Sequence, residues 1–297
     1  MIPTAFAYVA ARSVDEAVSL LKEHGDEAKL LAGGHSLLPM MKLRLAAPSI
    51  LIDIGRIKGL SGIALSGIAR HNGTLSICAA STHSTIEHSA ELRDHCPLLA
   101  ETAAKIGDRQ VRNRGTIGGS LAHADPAADL PAAVLALGAT LLARSADGER
   151  TIAADDFFVD LLTTALAPGE MLTEIRVPSV QHAGTAYVKF ANPASGYALV
   201  GVAASLELDS SGRCQGARVA ITGAGSKATR AGAVEAALAG QAFDETTAGR
   251  AAVHAAEGID LLSDIHGSAE YRGHLCRVLT RRAILTAAQR ARGATRS

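Results

Sequence analysis

The stretch Ala28-Lys29-Leu30-Leu31-Ala32-Gly33-Gly34-His35-Ser36 is the most informative part of this 297-residue chain. Its first four residues are mostly apolar and predict a short strand. Two adjacent glycines then allow the backbone to turn sharply and to approach a ligand closely. Because successive backbone N–H groups in such a turn form an anion-binding concavity, the stretch predicts an anion-binding loop directly after a strand.

A second stretch of the same design, Thr116-Ile117-Gly118-Gly119-Ser120, lies far along the chain. It also pairs two adjacent glycines with a hydroxyl side chain at its end. Two such loops would suit a ligand that has two phosphates and a long body. The pair therefore predicts a dinucleotide held by two loops rather than by one helix N-terminus.

The residues around the first glycine segment predict a small βαβ unit. Phe6–Ala10 and Ile50–Ile54 predict strands, and Leu37–Leu45 predicts a short helix. Between them, Ser13 begins a capping box and predicts a helix start, while Gly25 stands where a helix C-terminal glycine belongs.

The rest of the first half alternates between strands and helices. An Asn-Gly pair in His71-Asn72-Gly73 predicts a hairpin between Leu60–Ile63 and Leu75–Ala79. Asp155–Leu162 predicts a short acidic helix start. Further helices are predicted over Thr82–Glu91, Pro97–Ile106 and Leu130–Leu137, and further strands over Ala139–Arg144 and Leu172–Pro178.

Longer strands follow Pro178, and helices follow the strands, which is typical of a separate α+β domain. We therefore expect two domains, residues 1–177 and 178–297, the first with subdomains of about 1–56 and 57–177. The predicted strands of the second domain are Ala183–Ala191, Leu199–Leu208 and Ala217–Gly223, and its predicted helices are Ala231–Ala239, Thr246–Glu257 and Ser268–Arg290.

Composition narrows the class of protein. The formal net charge is +0, which argues against a nucleic-acid-binding protein because those usually carry a basic surplus. No run of about 18 apolar residues and no signal peptide occurs, so we expect a soluble, cytoplasmic protein without an integral membrane segment. The four cysteines, Cys78, Cys96, Cys214 and Cys276, show no iron–sulfur or zinc spacing and predict buried, reduced thiols.

The flanks of the two glycine segments carry a family resemblance. Leu31–Pro39 and Thr116–Pro131 resemble the FAD-binding medium subunits of molybdenum hydroxylases. Pro39–Arg44 is most similar to the aerobic carbon monoxide dehydrogenase branch, and Gly267–Arg272 and the residues after it extend the resemblance into the C-terminal domain. Xanthine dehydrogenases share the module. Two long motifs at the right separation make this a specific signal.

The resemblance implies fold, cofactor and partners. It implies an α+β fold whose two-part, vanillyl-alcohol-oxidase-like N-terminal domain binds FAD and whose C-terminal domain has a three-stranded antiparallel sheet with helices. It implies FAD that relays electrons from the [2Fe-2S] clusters of a small partner subunit, while a large subunit carries the molybdenum cofactor, in a dimer of heterotrimers. We expect quinone as acceptor, and a complex that is cytoplasmic or peripheral at the inner face of the membrane.

The resemblance also implies site residues, all of them cofactor-binding rather than catalytic. Ala32-Gly33-Gly34-His35-Ser36 resembles the pyrophosphate loop, and Thr116-Ile117-Gly118-Gly119-Ser120 resembles a second loop that reaches the phosphates and ribityl region. Asp129 matches an aspartate that accepts hydrogen bonds from the adenosine ribose. Ile106 and Leu172 match apolar positions that line the cofactor.

Two further positions belong to the flavin end. Lys189 matches a lysine close to the flavin ring, where a cation near N1–C2=O would stabilise the reduced, anionic flavin. Tyr197 matches a residue against the isoalloxazine. The xanthine-oxidising branch tends to be acidic there, so this tyrosine favours the carbon monoxide dehydrogenase-like branch and argues against NAD as acceptor.

Other interpretations of the motifs are weaker. His35, His123 and Asp125 form a poor metal pattern because metal sites normally need three or four ligands, and we assign Asp125 a structural hydrogen-bonding role. Gly223–Lys227 lacks the spacing of a phosphate loop and predicts a strand-to-helix turn. Alternative functions are the same subunit role in a xanthine, N-heteroaromatic or aldehyde dehydrogenase, a stand-alone FAD oxidase, and a scaffold with a degenerate cofactor site.

Overall fold

The computed structural model describes residues 2–60, 68–71, 73–180 and 182–294. It opens with a parallel sheet of β1 (Ala7–Ala10), β2 (Ala28–Leu31) and β3 (Ile50–Asp53) in the order β1-β3-β2. The helix α1 (Val14–His24) connects β1 to β2, and α2 (Leu37–Lys42) follows β2. The predicted βαβ unit is confirmed.

Local signals set the bounds of α1. Ser13 caps its start, because the Ser13 hydroxyl accepts a hydrogen bond from the backbone N–H of Glu16 at 3.1 Å. Gly25 ends it in the left-handed region, with φ of 51°. Both features were predicted from the sequence.

A five-stranded antiparallel sheet forms the second layer of the N-terminal half, in the order β4-β5-β10-β6-β7. Its strands are β4 (Ile68–His71), β5 (Thr74–Cys78), β6 (Thr140–Ser145), β7 (Gly148–Ala153) and β10 (Met171–Pro178). The hairpin at His71 and Gly73 is confirmed, but its first strand is β4, and Leu60 lies in a turn. Residues 61–63 and Asn72 of that prediction lie outside the described residues.

Short helices pack beside this sheet around one apolar core. They are α3 (His83–His88), α4 (Ala90–His95), α5 (Pro97–Ala104), α6 (Arg109–Arg112), α7 (Ile117–His123) and α8 (Leu130–Leu137). The acidic helix predicted over Asp155–Leu162 is wrong in length: α9 (Ala154–Phe157) gives way to a hairpin of β8 (Phe158–Asp160) and β9 (Thr163–Thr164).

The C-terminal part builds a second core between an antiparallel sheet and three helices. Its strands are β11 (Gly184–Ala191), β12 (Ala198–Leu208), β13 (Cys214–Thr222) and β14 (Thr229–Arg230), in that order. Its helices are α10 (Gly232–Leu238), α11 (Glu245–Ala252) and α12 (Ala269–Ala294). The predicted three strands are present, and the two-residue β14 adds a fourth. Gly223–Lys227 therefore joins strand to strand, not strand to helix.

Hydrogen bonds to backbone carbonyls join the two halves at one bend of the N-terminal part. The carbonyl of Pro126 accepts from the Gly223 N–H at 2.7 Å and from the Thr222 hydroxyl at 2.8 Å. The same hydroxyl lies 2.7 Å from the carbonyl of Ala128, and the Ala198 N–H donates to Ala127 at 3.3 Å. The end of the C-terminal sheet thus fixes the bend at residues 126–128.

The cysteines are free thiols. Cys96, Cys214 and Cys276 are buried as predicted, whereas Cys78 is only partly buried and its thiol donates to the Gly59 carbonyl at 3.0 Å. Within the part of the chain that the structure describes, no helix combines the length and apolar character needed to cross a membrane.

Candidate functional site

A cleft of about 650 Å³ lies between the two glycine segments and reaches the C-terminal half at residues 195–197. Its volume falls within the range of about 300–1,000 Å³ that is typical of small-molecule sites. The first segment enters the cleft from the end of β2, and the second enters it at the start of α7. The cleft therefore brings together residues that are more than eighty positions apart in the sequence.

The two glycine segments are joined through the backbone at Arg114 and Gly115. A Cβ atom on Gly33 would lie 2.1 Å from the carbonyl oxygen of Arg114 and 2.9 Å from the Cα of Gly115. Any side chain at position 33 would thus displace this contact. Glycine is required at position 33 because the two backbone segments pack closely here. The sequence alone had suggested a different reason, namely close approach of a ligand.

The second glycine segment is the first turn of a helix, so its prediction as a loop is wrong. The Thr116 hydroxyl caps α7 by accepting a hydrogen bond from the Gly119 N–H at 3.1 Å. Gly118 packs against Ala79, the residue after β5, and its N–H donates to the Ala79 carbonyl at 2.7 Å. Glycine has a poor helix propensity, and this favoured a loop in the sequence analysis.

His83, the first residue of α3, forms part of the cleft wall and is only 5% exposed. Its backbone N–H donates to the Gly115 carbonyl at 2.9 Å. Burial, together with the nearby His35 and Arg112, lowers the pKa of the imidazole from 6.5 to about 4, so the ring is neutral at pH 7. The Nδ1 atom is buried without a hydrogen-bond partner in the described structure.

A buried polar cluster closes the end of the cleft next to β11. Asp129, which directly precedes α8, accepts hydrogen bonds from the Tyr187 hydroxyl and from Lys189 Nζ, the latter at 2.8 Å. Burial raises the pKa of Asp129, and Lys189 and Tyr187 oppose that rise. Lys105 donates to the Tyr187 carbonyl at 2.5 Å, and Lys189 also donates to the Lys105 carbonyl at 3.0 Å.

Two family models cover most of the chain. Residues 4–180 match the FAD binding domain in molybdopterin dehydrogenase, and residues 185–287 match the CO dehydrogenase flavoprotein C-terminal domain. The chain belongs to the FAD-binding molybdopterin dehydrogenase family. The family, the fold class and the FAD cofactor that the resemblance implied are thereby confirmed.

Curated relatives of this flavoprotein match along its whole length. It is 40% identical over 293 residues to the 6-hydroxypseudooxynicotine dehydrogenase complex subunit alpha of Paenarthrobacter nicotinovorans, covering 98% of this chain and 97% of the relative. It is also 40% identical over 285 residues to the carbon monoxide dehydrogenase medium chain of Hydrogenophaga pseudoflava, covering 96% and 97%.

A solved structure has the same fold. A chain of carbon monoxide dehydrogenase from Hydrogenophaga pseudoflava, in a form that lacks the Mo-pyranopterin moiety of the molybdenum cofactor, superposes with a TM-score of 0.93 at 42% identity. The match covers 98% of this flavoprotein and 99% of that chain. The chain is thus an oxidoreductase subunit of the carbon monoxide dehydrogenase-like molybdenum hydroxylases.

The cleft fits FAD in size and in chemistry. Its wall carries the backbone of the first glycine segment and the Ser120 side chain, which is a donor set suited to a phosphorylated ligand. The predicted residues that line it are Ala32, Gly33, Gly34, His35, Ser36, Ile106, Thr116, Gly118, Gly119, Ser120, Asp129, Leu172 and Tyr197.

Two of the predicted cofactor-binding residues do not line this cleft. Ile117 is completely buried in the core beneath α7. Lys189 is 4% exposed and is paired with Asp129, so it reaches the cleft only through that carboxylate. The family resemblance implied that Lys189 lies at the flavin and Asp129 at the ribose. In the structure, the Lys189 ammonium donates a hydrogen bond to the Asp129 carboxylate.

Sequence analysis missed several residues of the cleft and its support. His83 and Leu162 line the cleft, Leu162 with an unusual φ of 52°, and Tyr187 and Lys105 hold the polar cluster beside it. Only His83 had a local signal, since Thr82 precedes it as a helix-capping residue. Tyr187 and Lys105 come together through the packing of β11 against α5, and Leu162 lies in the turn between β8 and β9.

Proposed function

We propose that this chain holds FAD in the cleft between its glycine segments as an electron relay of a three-subunit molybdenum hydroxylase. The cleft lined by both segments is the observation that carries the proposal. When bound, FAD can accept electrons one at a time from iron–sulfur clusters and pass two to an acceptor. We place the boundary between the domains at 177/178, one residue before the end of β10.

The residues of the chain bind and orient rather than react. Backbone N–H groups of Ala32–Ser36 would hold the diphosphate, and the second segment, Thr116–Ser120, would reach it through the Ser120 side chain, because its N–H groups at 117–120 already donate within the protein. Ile106 and Leu172 supply apolar wall, and Tyr197, which is 46% exposed at the C-terminal rim, would cover the flavin ring. Asp129 would meet the ribose while Lys189 keeps its carboxylate ionised inside the protein.

The partners follow from the relay function. A small subunit with two [2Fe-2S] clusters would deliver electrons, a large subunit would hold the molybdenum cofactor, and the whole would form a dimer of heterotrimers. Tyr197 in place of an acidic residue favours quinone over NAD as acceptor. A quinone acceptor would place the cytoplasmic complex at the inner face of the membrane, without a membrane segment in this chain.

Carbon monoxide is our first candidate as substrate of the complex, because the fold and the C-terminal domain match the carbon monoxide dehydrogenase type. An N-heteroaromatic substrate is the second candidate, because the 6-hydroxypseudooxynicotine dehydrogenase subunit is just as similar. The substrate would bind the large subunit in either case, so the same relay serves both.

The complex purified with its neighbouring subunits tests the proposal. We expect flavin absorbance in the complex, reduction of that flavin by carbon monoxide in anaerobic rapid mixing, and no turnover by this chain alone. Reduction by an N-heteroaromatic compound instead would select the second candidate. Oxygen-dependent turnover by the isolated chain would establish a stand-alone oxidase, and a complex without flavin would establish a scaffold.

A further inference from the structure

The hairpin of β8 and β9 turns at two leucines beside the cleft. Asp160, the last residue of β8, pairs with Thr163, the first residue of β9, so Leu161 and Leu162 form a two-residue turn. The backbone of Leu162 is left-handed, with φ of 52°. Glycine or asparagine normally occupies such a position, because the Cβ of a larger residue crowds its own backbone there. A leucine in this place therefore carries a conformational cost that glycine would avoid.

Hydrogen bonds hold this turn in one conformation. The Asp160 carboxylate accepts from the Leu161 N–H at 2.8 Å, and the Thr163 hydroxyl donates to the Leu161 carbonyl at 2.9 Å. From the C-terminal part, Lys227 Nζ donates to the carbonyl of Val159 at 2.8 Å. Strained backbone persists where the surrounding structure enforces it, and such positions concentrate at ligand sites. The strain in this turn thus points to a function for the leucine that bears it.

Leu162 adds apolar surface to the cleft, which it lines while 47% of the residue is exposed. Its neighbour Leu161 is exposed to a similar degree, 54%, but it does not line the cleft and its backbone lies outside the left-handed region. The strained residue of the turn is thus the one at the cleft. Because a leucine side chain has no hydrogen-bonding atom, it suits contact with a ring of the ligand rather than with a phosphate.

We propose that Leu162 contacts FAD by packing its side chain on the isoalloxazine ring, and that the turn bears its strain to direct that side chain into the cleft. This rests on the proposed function, which places FAD in the cleft with its flavin ring at Tyr197. The C-terminal part carries Tyr197 and also holds the hairpin through Lys227, which favours the flavin end of FAD over the adenine end.

Three single variants of the full chain separate the contact from the strain. Leu162→Gly removes both the side chain and the strain, Leu162→Met keeps an apolar side chain, and Leu161→Gly is the matched control outside the cleft. In titrations of the deflavinated chain with FAD, we expect the dissociation constant of Leu162→Gly to rise about fivefold or more, because the ring no longer covers the exposed half of a leucine. Leu162→Met and Leu161→Gly should stay within about twofold of the unmodified chain. Unchanged affinity in Leu162→Gly would remove Leu162 from the site.

The stability of the apo chain is the second readout. Leu162→Gly should unfold at the same temperature as the unmodified chain or at a higher one, since relief of the left-handed strain offsets the flexibility that glycine adds to the unfolded chain. An unfolding temperature below that of Leu161→Gly would make Leu162 a packing residue of the hairpin and overturn the proposal. Equal loss of FAD affinity in the two glycine variants would also overturn it, because the effect would then come from the stiffness of the turn.

Fragments of the cofactor locate the contact. With riboflavin as the ligand, the Leu162→Gly penalty should persist, and with ADP it should vanish. A penalty with ADP alone would move the contact to the adenine end and overturn the assignment. In the unmodified chain, the ring current of riboflavin should shift the methyl NMR signals of Leu162, and signals that do not change at saturation would contradict the proposal. Failure of the unmodified chain to bind FAD at all would instead contradict the proposed function.

Discussion

Lys189 Nζ lies 2.8 Å from the carboxylate of Asp129, and both side chains are at least 95% buried. The pair joins β11 of the C-terminal part to the start of α8 in the N-terminal part. Two buried charges are tolerated here because each is hydrogen-bonded: Tyr187 donates to the carboxylate, and Lys189 also donates to a backbone carbonyl.

Breaking this pair should strongly destabilise the fold. Lys189→Met leaves the Asp129 charge buried with only the Tyr187 hydroxyl as partner, so we expect a loss of about 3–5 kcal/mol in the free energy of unfolding, measured with urea at pH 7.5. The double variant with Asp129→Asn should lose clearly less than the sum of the two single variants, because no buried charge remains. Additive losses would show that the two residues act independently.

The stability of Lys189→Met should depend on pH in a direction that follows from the pKa of Asp129. Burial raises the pKa of Asp129, so the folded state takes up a proton more readily than the unfolded chain. Removal of Lys189 should raise this pKa further. The deficit of Lys189→Met relative to the unmodified chain should therefore shrink as the pH falls from 8 to 5, in urea titrations at matched ionic strength.

His83 should contribute a pH dependence of the opposite sign. Its pKa falls from 6.5 in the unfolded chain to about 4 in the folded protein, so its contribution is complete above pH 6.5 and is lost as the pH falls toward 4. Complete loss of this contribution would lower the free energy of unfolding by about 3 kcal/mol. The difference in unfolding free energy between the apo chain and its His83→Asn variant should change over this interval, and a constant difference would show that folding leaves the pKa of this imidazole unchanged.

The two glycine segments should respond differently to alanine. Gly33→Ala drives a Cβ into the Arg114 carbonyl and should cost about 1–3 kcal/mol of stability together with FAD retention. Gly119→Ala meets only the Thr116 hydroxyl, at 2.8 Å, so it should disturb FAD content more than the thermal unfolding of the apo chain. Gly249→Ala, with no atom near its added Cβ, serves as the control for both. Equal stability of Gly33→Ala and the control would contradict the packing role.

Loss of the Thr222 hydroxyl, which holds the bend at 126–128 against the C-terminal sheet, should weaken FAD binding. Thr222→Val keeps the shape but removes the hydroxyl that lies within hydrogen-bond distance of both the Pro126 and the Ala128 carbonyl, so we expect a loss of about 1–3 kcal/mol and weaker FAD binding. Thr222→Ser keeps the hydroxyl and should retain most FAD affinity. Wild-type affinity in Thr222→Val would show that the bend at 126–128 holds its position without this bond.

Substitution of Tyr197 should change the redox properties of the flavin more than the amount of flavin that the complex retains. We expect Tyr197→Ala to change the midpoint potential or the acceptor kinetics of the complex with flavin content preserved, and Tyr197→Phe to change them less because the ring remains. Spectroelectrochemical titration of the complex measures the potential. An unchanged potential together with unchanged acceptor kinetics would remove Tyr197 from the flavin.

Much of the fold was predictable because its signals are local. The Ser13 cap, the Gly25 stop and the parallel strands on either side of α1 each depend on a few neighbouring residues. The strand β14 was missed because two residues carry no periodicity. The helical start at Thr116 was missed because two glycines weaken a helix signal that a capping threonine alone does not restore.

The site residues that belong to sequence motifs could be predicted. The contacts between residues that are far apart in the sequence could not. Family resemblance located both glycine segments and Tyr197 in one cleft. It could not show that Lys189 would bind Asp129, sixty positions away in the sequence, or that His83 would lie against Gly115. Such pairs depend on how β11, α3 and α8 pack, for which a single sequence contains no periodic signal.

The hydrogen bonds from Thr222 and Gly223 to the bend at Pro126 bear on the speed of electron transfer. Electron tunnelling rates fall exponentially with distance, so a junction that swung open and shut would spread the rate over a wide range. Several short bonds at this bend, with the Lys189–Asp129 pair nearby, give the two halves a single arrangement. With FAD in the cleft as proposed, the consequence would be one tunnelling distance between the flavin and whichever surface receives the electron donor.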